Sequence, residues 1–571
     1  MGFADSGEFV VKENAFKGPT FSSRLKEPPS ANRIVGAKQK LRTKEADHMK
    51  IKIRIILAST IFLAALADAR AQTTFTKITT GAIATDVGFS AGCAWGDYNN
   101  DGYLDLFVAN QQGAENFLYL NNRNGTFTKV ATGDIVTDGG TSVGCMWGDY
   151  DNDGFLDLFV ANGGGDSPQP NLLYHNNGDG TFTKITSGIV VTDFIQSFNG
   201  AWGDYDNDGY LDLFAGDNGQ NTDALYRNNG DSTFTKILSA SISDGGNSIG
   251  SAWGDYNNDG LLDLFVGSNG NVNNLLYRNK GDGTFVKITS GSIANDRGGI
   301  GCAWGDYDND GFQDLFVSTG GIGPPTKNFL YHNVGDGTFT KVTSGSVVTD
   351  VGNSVVCAWG DYDNDGFLDL FVTRQLGQNN VLYHNNGDST FTRVTEGTLV
   401  NDAGNSVGCA WGDYDNDGFL DLFVANGAFG DVSQNNFLYR NNGNTNKWIK
   451  IKLVGTVSNR AAIGAKVRIK TTIGAKTVSQ LREISSGGSS QNTLAHFGLG
   501  NATNIDLVRI EWPSGIVQEF HDVAAKQFLT CRTVRFNSRS PADSASNTIW
   551  RLPVILRRGG SGPPLQTAPE P

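Results

Sequence analysis

Six cysteines and three methionines are few for a chain of 571 residues. Five of the cysteines (Cys93, Cys145, Cys302, Cys357 and Cys409) stand two places before a tryptophan in a recurring phrase, where Gly200 and Ser251 take the same place in two other copies. Equivalent positions of successive repeats do not meet the ~7 Å Cα limit of a disulfide, and their separation matches no zinc spacing. One small residue per repeat reads instead as inner-strand packing. Basic residues are also scarce, 45 Lys and Arg against 59 Asp and Glu, for a net charge of −14. That balance argues against a protein that grips nucleic-acid phosphates. Long apolar runs are short as well. The longest, Ile55 to Ala67, has 13 residues, below the ~20 needed to span a bilayer. No Ser-His-Asp order, nucleophile elbow or phosphate-cradling glycine loop stands out, so the sequence gives no reason to expect an enzyme.

The run at 55–67 has its own meaning. It follows Met49 and the cations Lys50, Lys52 and Arg54, and it precedes the small-residue phrases "ADA" and "ARA". Positive, apolar, then small is the order of a secretory signal peptide. The expectation is a polar extension over 1–48 outside the mature protein, a signal peptide over 49–71 and no membrane span after its cleavage. The product would be secreted or cell-surface, or periplasmic in a bacterium.

What is abundant is repetition. "WGDY" begins at Trp95, Trp147, Trp202, Trp253, Trp304, Trp359 and Trp411, at spacings of 52, 55, 51, 51, 55 and 52 residues. Each unit runs from a small-residue strand through Trp-Gly-Asp-Tyr and an acidic loop to an apolar strand such as "LDLFVAN". A second apolar strand, "FLYLNN" or "LLYHNN", follows, and then a turn such as "GDGT" and "FTKV". Short β-branched and aromatic segments joined by Asp-Gly turns are strands. Four strands per ~50 residues is the period of a β-propeller blade. The strand beginning at Phe75 precedes the first Trp-Gly-Asp-Tyr, while the last unit lacks its fourth strand. The early strand is therefore expected to complete a seventh blade and close the ring over 72–446. From Lys447 the text changes. "WIKIKLVG", "KVRIK" and "VRIEW" alternate apolar and polar residues, which predicts a small antiparallel β module over 447–529 with one face buried. A disordered tail rich in Arg, Ser, Pro and Gly is expected over 530–571.

The acidic loop is the candidate site. Counted from the aspartate of Trp-Gly-Asp-Tyr, positions 1, 3, 5 and 9 carry oxygen donors in all seven copies. They are Asp97, Asn99, Asp101 and Asp105; Asp149, Asp151, Asp153 and Asp157; Asp204, Asp206, Asp208 and Asp212; Asp255, Asn257, Asp259 and Asp263; Asp306, Asp308, Asp310 and Asp314; Asp361, Asp363, Asp365 and Asp369; and Asp413, Asp415, Asp417 and Asp421. Of these 28 positions 26 are Asp, a density of like charge that needs a cation among the oxygens. Alternate side chains with Gly at position 6 resemble the first half of an EF-hand loop. All-oxygen ligation favours Ca²⁺ over Zn²⁺. Mg²⁺ is the runner-up, since it usually keeps several waters. Residues 72–446 hold 45 acidic and 15 basic side chains. About seven structural Ca²⁺ ions are therefore expected, tying strands together.

These repeats resemble the FG-GAP/VCBS repeats of the integrin α-chain type of propeller, which carries Ca²⁺ in similar loops. The phrases "LVGTVSNRAAIGAKVRI", "HFGLG" and "EWPSGIVQEF" make 447–529 similar to an ASPIC/UnbV module, the arrangement of the cartilage acidic protein family. The resemblance implies an extracellular Ca²⁺-binding protein of adhesion or matrix type and supplies no ligand. Two features depart from the family. "AAKQFLTCRTVRF" drifts into a basic tail where relatives continue into another strand, and no Cys-dense EGF-like segment follows. His175, His332 and His384 share a place taken elsewhere by Leu120, Arg227, Arg278 or Arg440, which reads as a variable surface position, and His496 reads as holding a turn. The blade aromatics read as packing between blades, and the loops 163–171, 320–328 and 427–436 as the ligand candidates on one rim. With 11 basic and 5 acidic residues, 447–529 is expected to dock on the acidic propeller. The function expected is a secreted Ca²⁺-binding interaction module for a protein or glycan partner. The alternative is a carbohydrate-active enzyme, a polysaccharide lyase or hydrolase, on the same scaffold.

Overall fold

The computed structural model describes residues 75–164, 168–219, 222–238, 242, 247–429, 433–487, 493–533 and 550–551. The expected extension, the signal peptide and most of the expected tail lie outside them.

Seven antiparallel sheets carry the seven repeats, six of four strands and the third of five, the fifth being Ser486–Gly487. In the second, the order from the inside outward is Ser142–Gly148, Asp157–Asn162, Leu172–Asn176 and Phe182–Lys184. The sheet of the last repeat, Ser406–Gly412, Asp421–Asn426 and Phe437–Asn441, takes Phe75–Ile78 as its outermost strand, with Phe75 opposite Asn441. Innermost strands lie side by side around a ring, and that of the first repeat, Ser90–Gly96, meets that of the last. Closure of this kind leaves no sheet edge between first and last blades.

The repeated aromatics hold the sheets to one another. Trp147 donates its indole N–H to Ala94 O of the preceding repeat at 3.2 Å, and Trp95 donates to Ala410 O at 3.1 Å across the closure. The Trp147 ring stacks on Tyr98 of that preceding repeat at 6.1 Å and 13°. Glycine must follow each of these tryptophans because the next repeat's indole lies against it. A Cβ at Gly96 would stand 2.6 Å from Trp147 Cδ1. The cysteines two places before the blade tryptophans pack in these same inner strands. All six cysteines of the chain are free, and burial pushes the thiol of Cys302 up to about 12.

A feature absent from the sequence reading is one helical turn in most repeats, such as Ala82–Thr85 and Asp134–Thr137. The aspartate ending such a turn receives a tyrosine hydroxyl and a lysine from the repeat that follows it. Asp138 takes Tyr174 Oη at 2.7 Å and Lys184 Nζ at 2.9 Å. The Lys of Phe-Thr-Lys is therefore a structural ion-pair partner of a second, separate set of aspartates.

The C-terminal module has two sheets. One orders Ala495–Gly500, Lys447–Val454 and Gln527–Arg532; the other orders Lys476–Glu483, Lys466–Ile473, Asn504–Glu511, Val517–Ala524 and Trp550–Arg551. The pairing is antiparallel except that Gln527–Arg532 and Trp550–Arg551 each join in parallel. The boundary expected at 529 is therefore too early. "QFLTCR" is a strand, and Thr456 extends the join by bonding to Thr533 at 2.6 Å. Basic residues beside it masked its alternation, in which Leu529 and Cys531 are buried. Ile449, Ile451 and Leu453 share one apolar core with Trp202 and Leu211 of the propeller. The other face of the strand is not wet. Lys450 is only 3% exposed, because that face lies on the acidic loops.

Candidate metal centre

Each acidic loop is shaped by its own side chains. In the second repeat Gly154 has φ +99°, a conformation glycine adopts freely, and its N–H bonds Asp149 Oδ2 at 2.9 Å. Phe155 N donates to Asp153 Oδ1 at 2.8 Å. Position 9 opens the next strand and is wholly buried in every repeat. Its Oδ1 accepts the N–H of the third strand's asparagine at 2.8 Å in all seven, as in Asp157 with Asn176. Position 9 therefore ties two strands with one oxygen. Its other oxygen accepts the N–H of the Trp-Gly-Asp-Tyr tyrosine in five repeats, as Asp157 Oδ2 does from Tyr150 at 3.1 Å, and has no hydrogen-bond partner at Asp105 and Asp263. Position 1 is buried in six loops and half-buried at Asp97, position 3 is half-buried, and position 5 is half-buried or exposed.

The chain thus brings positions 1, 3 and 9 together in the second and third loops. Ligand atoms of Asp149, Asp151 and Asp157, and of Asp204, Asp206 and Asp212, lie within 4.8 Å of one another. Several inward oxygens are buried without a partner: Asp149 Oδ1, Asp204 Oδ1, Asp308 Oδ1, and the Oδ2 atoms of Asp105 and Asp263. A buried carboxylate oxygen in that state is costly unless a cation meets it. Burial first, then the neighbouring Asp157, Asp153 and Asp151, pushes Asp149 up to about 8. Burial likewise raises Asp263 to about 9 and Asp204 to about 7. The donor set is all oxygen and carboxylate-rich, so these residues fit a hard divalent ion.

Two groups of residues at the loops escaped the sequence reading. The first is the histidine or arginine of the third strand, expected to be a variable surface position. His175 Nδ1 lies 3.2 Å from both Asp151 and Asp157, and Arg227 reaches Asp206 at 2.6 Å and Asp208 at 2.7 Å. Arg440 does the same to Asp415 and Asp417. The place varies in identity, yet it supplies partial counter-charge in each of these loops. The second is the asparagine at position 4, present in all seven loops. Asn152 Nδ2 donates to Gly209 O of the next loop at 2.9 Å, and Asn416 closes the circle on Gly102 O at 2.9 Å. Repetition at every copy was the signal available for it.

The module covers this end of the ring. Lys450 Nζ bonds Asp413 Oδ2 and Asn416 Oδ1, each at 2.6 Å, and Lys466 Nζ bonds Asp255 Oδ2 at 2.6 Å and Asn258 Oδ1 at 2.7 Å. Lys452 faces Asp97 at 3.4 Å, Asn459 faces Asp204 at 3.3 Å, and Gly498 N donates to Asp361 at 3.1 Å. Arg468 spans Gly311 O and Asn258. Ser486–Gly487 pairs with Ala201 and Trp202 on the free edge of an innermost strand. His496, expected to hold a turn, sits between the module and Gly418 O at 3.2 Å.

These rings and loops define a β-propeller of Asp-loop repeats closed at one end by a β module. The FG-GAP-like repeat family matches residues 97–160, 149–215, 204–266, 255–317, 320–372 and 361–424, and ASPIC and UnbV matches 455–535. The chain belongs to the FG-GAP-like repeat family and carries an ASPIC and UnbV domain after its repeats. It is similar to cartilage acidic protein 1 of Mus musculus, 30% identical over 267 residues, which is 44% of this chain and 40% of that protein. Cartilage acidic protein 1 of Xenopus tropicalis is 30% identical over 291 residues, 47% of this chain and 42% of the relative. The chain thus spans about two fifths of the length of the curated relatives it matches. Among solved structures it is similar to virginiamycin B lyase from Staphylococcus aureus, at 11% identity and a TM-score of 0.40 over 64% of this chain and 97% of that one. A likeness at that score carries no argument about function.

Proposed function

We propose that this chain is an extracellular interaction protein whose propeller is held by structural Ca²⁺ in the Asp-rich loops and whose partner is a protein or a glycan. The observation that supports the metal is the set of buried, unpartnered carboxylate oxygens aimed into the loops, above all Asp149 Oδ1 and Asp204 Oδ1. Positions 1, 3, 5 and 9 of each loop would hold the ion. When bound, the ion supplies positive charge and fixes the loop; it performs no reaction. The chain's own residues do the rest. Glycine at position 6 and asparagine at position 4 set the loop's curvature and its link to the next loop, and position 9 joins two strands. The near-uniformity of the seven loops favours binding over catalysis, because a reaction centre needs one loop unlike the others. Kinship to cartilage acidic protein 1 supports an extracellular setting.

Elemental analysis of the purified, gel-filtered protein tests the first half. About seven calcium ions per chain are expected, and the loops of the second and third repeats should fill first. A preparation that holds no calcium at millimolar Ca²⁺ overturns the reading. A protein and glycan array probed with Ca²⁺ and with chelator tests the second half, with Ca²⁺-dependent capture expected.

A further inference from the structure

The other end of the ring is built differently. Each innermost strand begins with a small residue followed by an aliphatic or aromatic one, four places before its tryptophan, from Ala91 and Val143 round to Val355 and Val407. A seven-residue strand is roughly 20 Å long, so this collar lies at the opposite end from the Trp-Gly-Asp loops and the module. All seven collar residues line one cavity of about 970 Å³. Half-buried Phe198 and Phe429 stack in its wall at 5.9 Å and 8°. The volume is at the upper end of what small-ligand sites enclose, and the apolar lining is what such sites use.

The charge of the cavity is the second observation. No Asp or Glu is among its described lining residues, in a propeller with 45 of them, whereas Arg297 and Lys327 are. Both cations are exposed. The Arg297 guanidinium bonds the amide oxygens of Asn273 and Asn271, at 2.8 and 3.0 Å, and among the described residues no acid pairs with it there. Ile322 beside them is 68% exposed, an apolar side chain left on the rim.

We infer that this cup binds an amphiphile with a long apolar chain and a single anionic head, a free long-chain carboxylate being the simplest. The chain fills the collar, and the head meets Arg297 and Lys327. The site stands apart from the acidic loops and does not depend on their metal.

The test is titration of the full Ca²⁺-loaded protein with cis-parinarate, followed by its fluorescence and displaced by palmitate. Saturable, one-to-one enhancement is expected, with methyl palmitate displacing the probe less well. Arg297→Gln with Lys327→Gln, both on exposed side chains, should weaken parinarate by roughly three- to tenfold, the range of one or two exposed ion pairs, at an unchanged melting temperature. Ile322→Asp should weaken it further by setting a carboxylate on the rim. No saturable enhancement from the folded protein overturns the proposal. Equal displacement by acid and ester overturns the assignment of the head group. Binding to anionic phospholipid vesicles without displacement of parinarate overturns it in favour of a membrane surface.

Discussion

The two ends of the same seven strands are chemical opposites. At the Trp-Gly-Asp end the ring is acidic, and the module packs onto it around a cavity of about 90 Å³ lined in part by Lys450, Arg482 and Glu483. At the other end the collar is apolar and a cavity of about 970 Å³ stays open. The difference shows how one repeat can hold a structural and a receptive surface without conflict. Charge that must be neutralised is gathered where cations of the protein itself can reach it, and the described lining of the cavity at the opposite end holds no carboxylate. On this division the closed end governs stability, and the open end can change with little cost to the fold.

Chelation should separate the two ends most strongly. A site filled at a hundred times its Kd contributes about 2.7 kcal/mol, so stripping several loops should lower Tm by on the order of ten degrees. Below that reduced Tm, parinarate binding at the cup should persist. An unchanged melting curve in excess EDTA would remove calcium from the account of the closed end.

Next in size are the two buried lysines. Lys450 and Lys466 leave 4% and 6% of their side chains exposed, against Asp413 and Asp255 at 2% and 3%. In chelator-treated protein, replacing either with Met leaves a buried carboxylate without its ammonium, which costs about 3–5 kcal/mol in comparable pairs. Denaturant unfolding measures this, and pairing Lys450→Met with Asp413→Asn should recover part of the loss. A Lys450→Met protein as stable as the parent would mean that the module rests on its apolar core alone.

The repeats, their strands and the acidic quartets were legible because each fact was written seven times at a fixed spacing. The closing role of Phe75–Ile78 was legible from a count, since one fourth strand stood before the first unit and one was missing at the end. What connects one blade with the next was not legible. Asn176 Nδ2 reaches Tyr98 O at 2.8 Å across 78 residues, and nothing in the local text of "LYHNN" states that partner. The polar face of "WIKIKLVG" likewise read as solvent-facing, because alternation reveals that two faces differ and not what covers each. Net charge did point the module toward the propeller, but not to Lys450 and Lys466 as the residues entering particular loops.

A smaller effect comes from pH at the closed end. His496 is buried there; burial, with Lys450 and Arg482 nearby, lowers it to about 3 despite its bond to Gly418 O. Unfolded, the same ring titrates near ~6.5. Between those values the unfolded chain binds the extra proton, so stability is complete above pH ~6.5 and falls as pH drops toward 3, by about 1.4 kcal/mol per pH unit. Comparing Tm of the Ca²⁺-saturated parent and His496→Gln from pH 7 to 5 isolates it. Parallel curves would show that this histidine ionises freely.

The smallest expected effect is the most specific to the ring. Asn152, half-buried with φ +61°, donates to Gly209 O and accepts Arg460 N at 2.7 Å, so it joins two loops and the module at once. Asn152→Ala removes one bond to each neighbour and places alanine in a left-handed conformation that asparagine tolerates better. The expected cost is about 1–3 kcal/mol. Asn152→Gly relieves the backbone strain and isolates the side-chain bonds, so its smaller loss measures their share. The same pair of substitutions at Asn416, which lacks that module backbone contact but holds Gly102 O across the closure and receives Lys450 Nζ, asks whether closing the circle costs more than continuing it. Equal losses at the two positions would mean that the closing junction is energetically one joint among seven, and that the acidic end of the ring is stabilised evenly around its circumference.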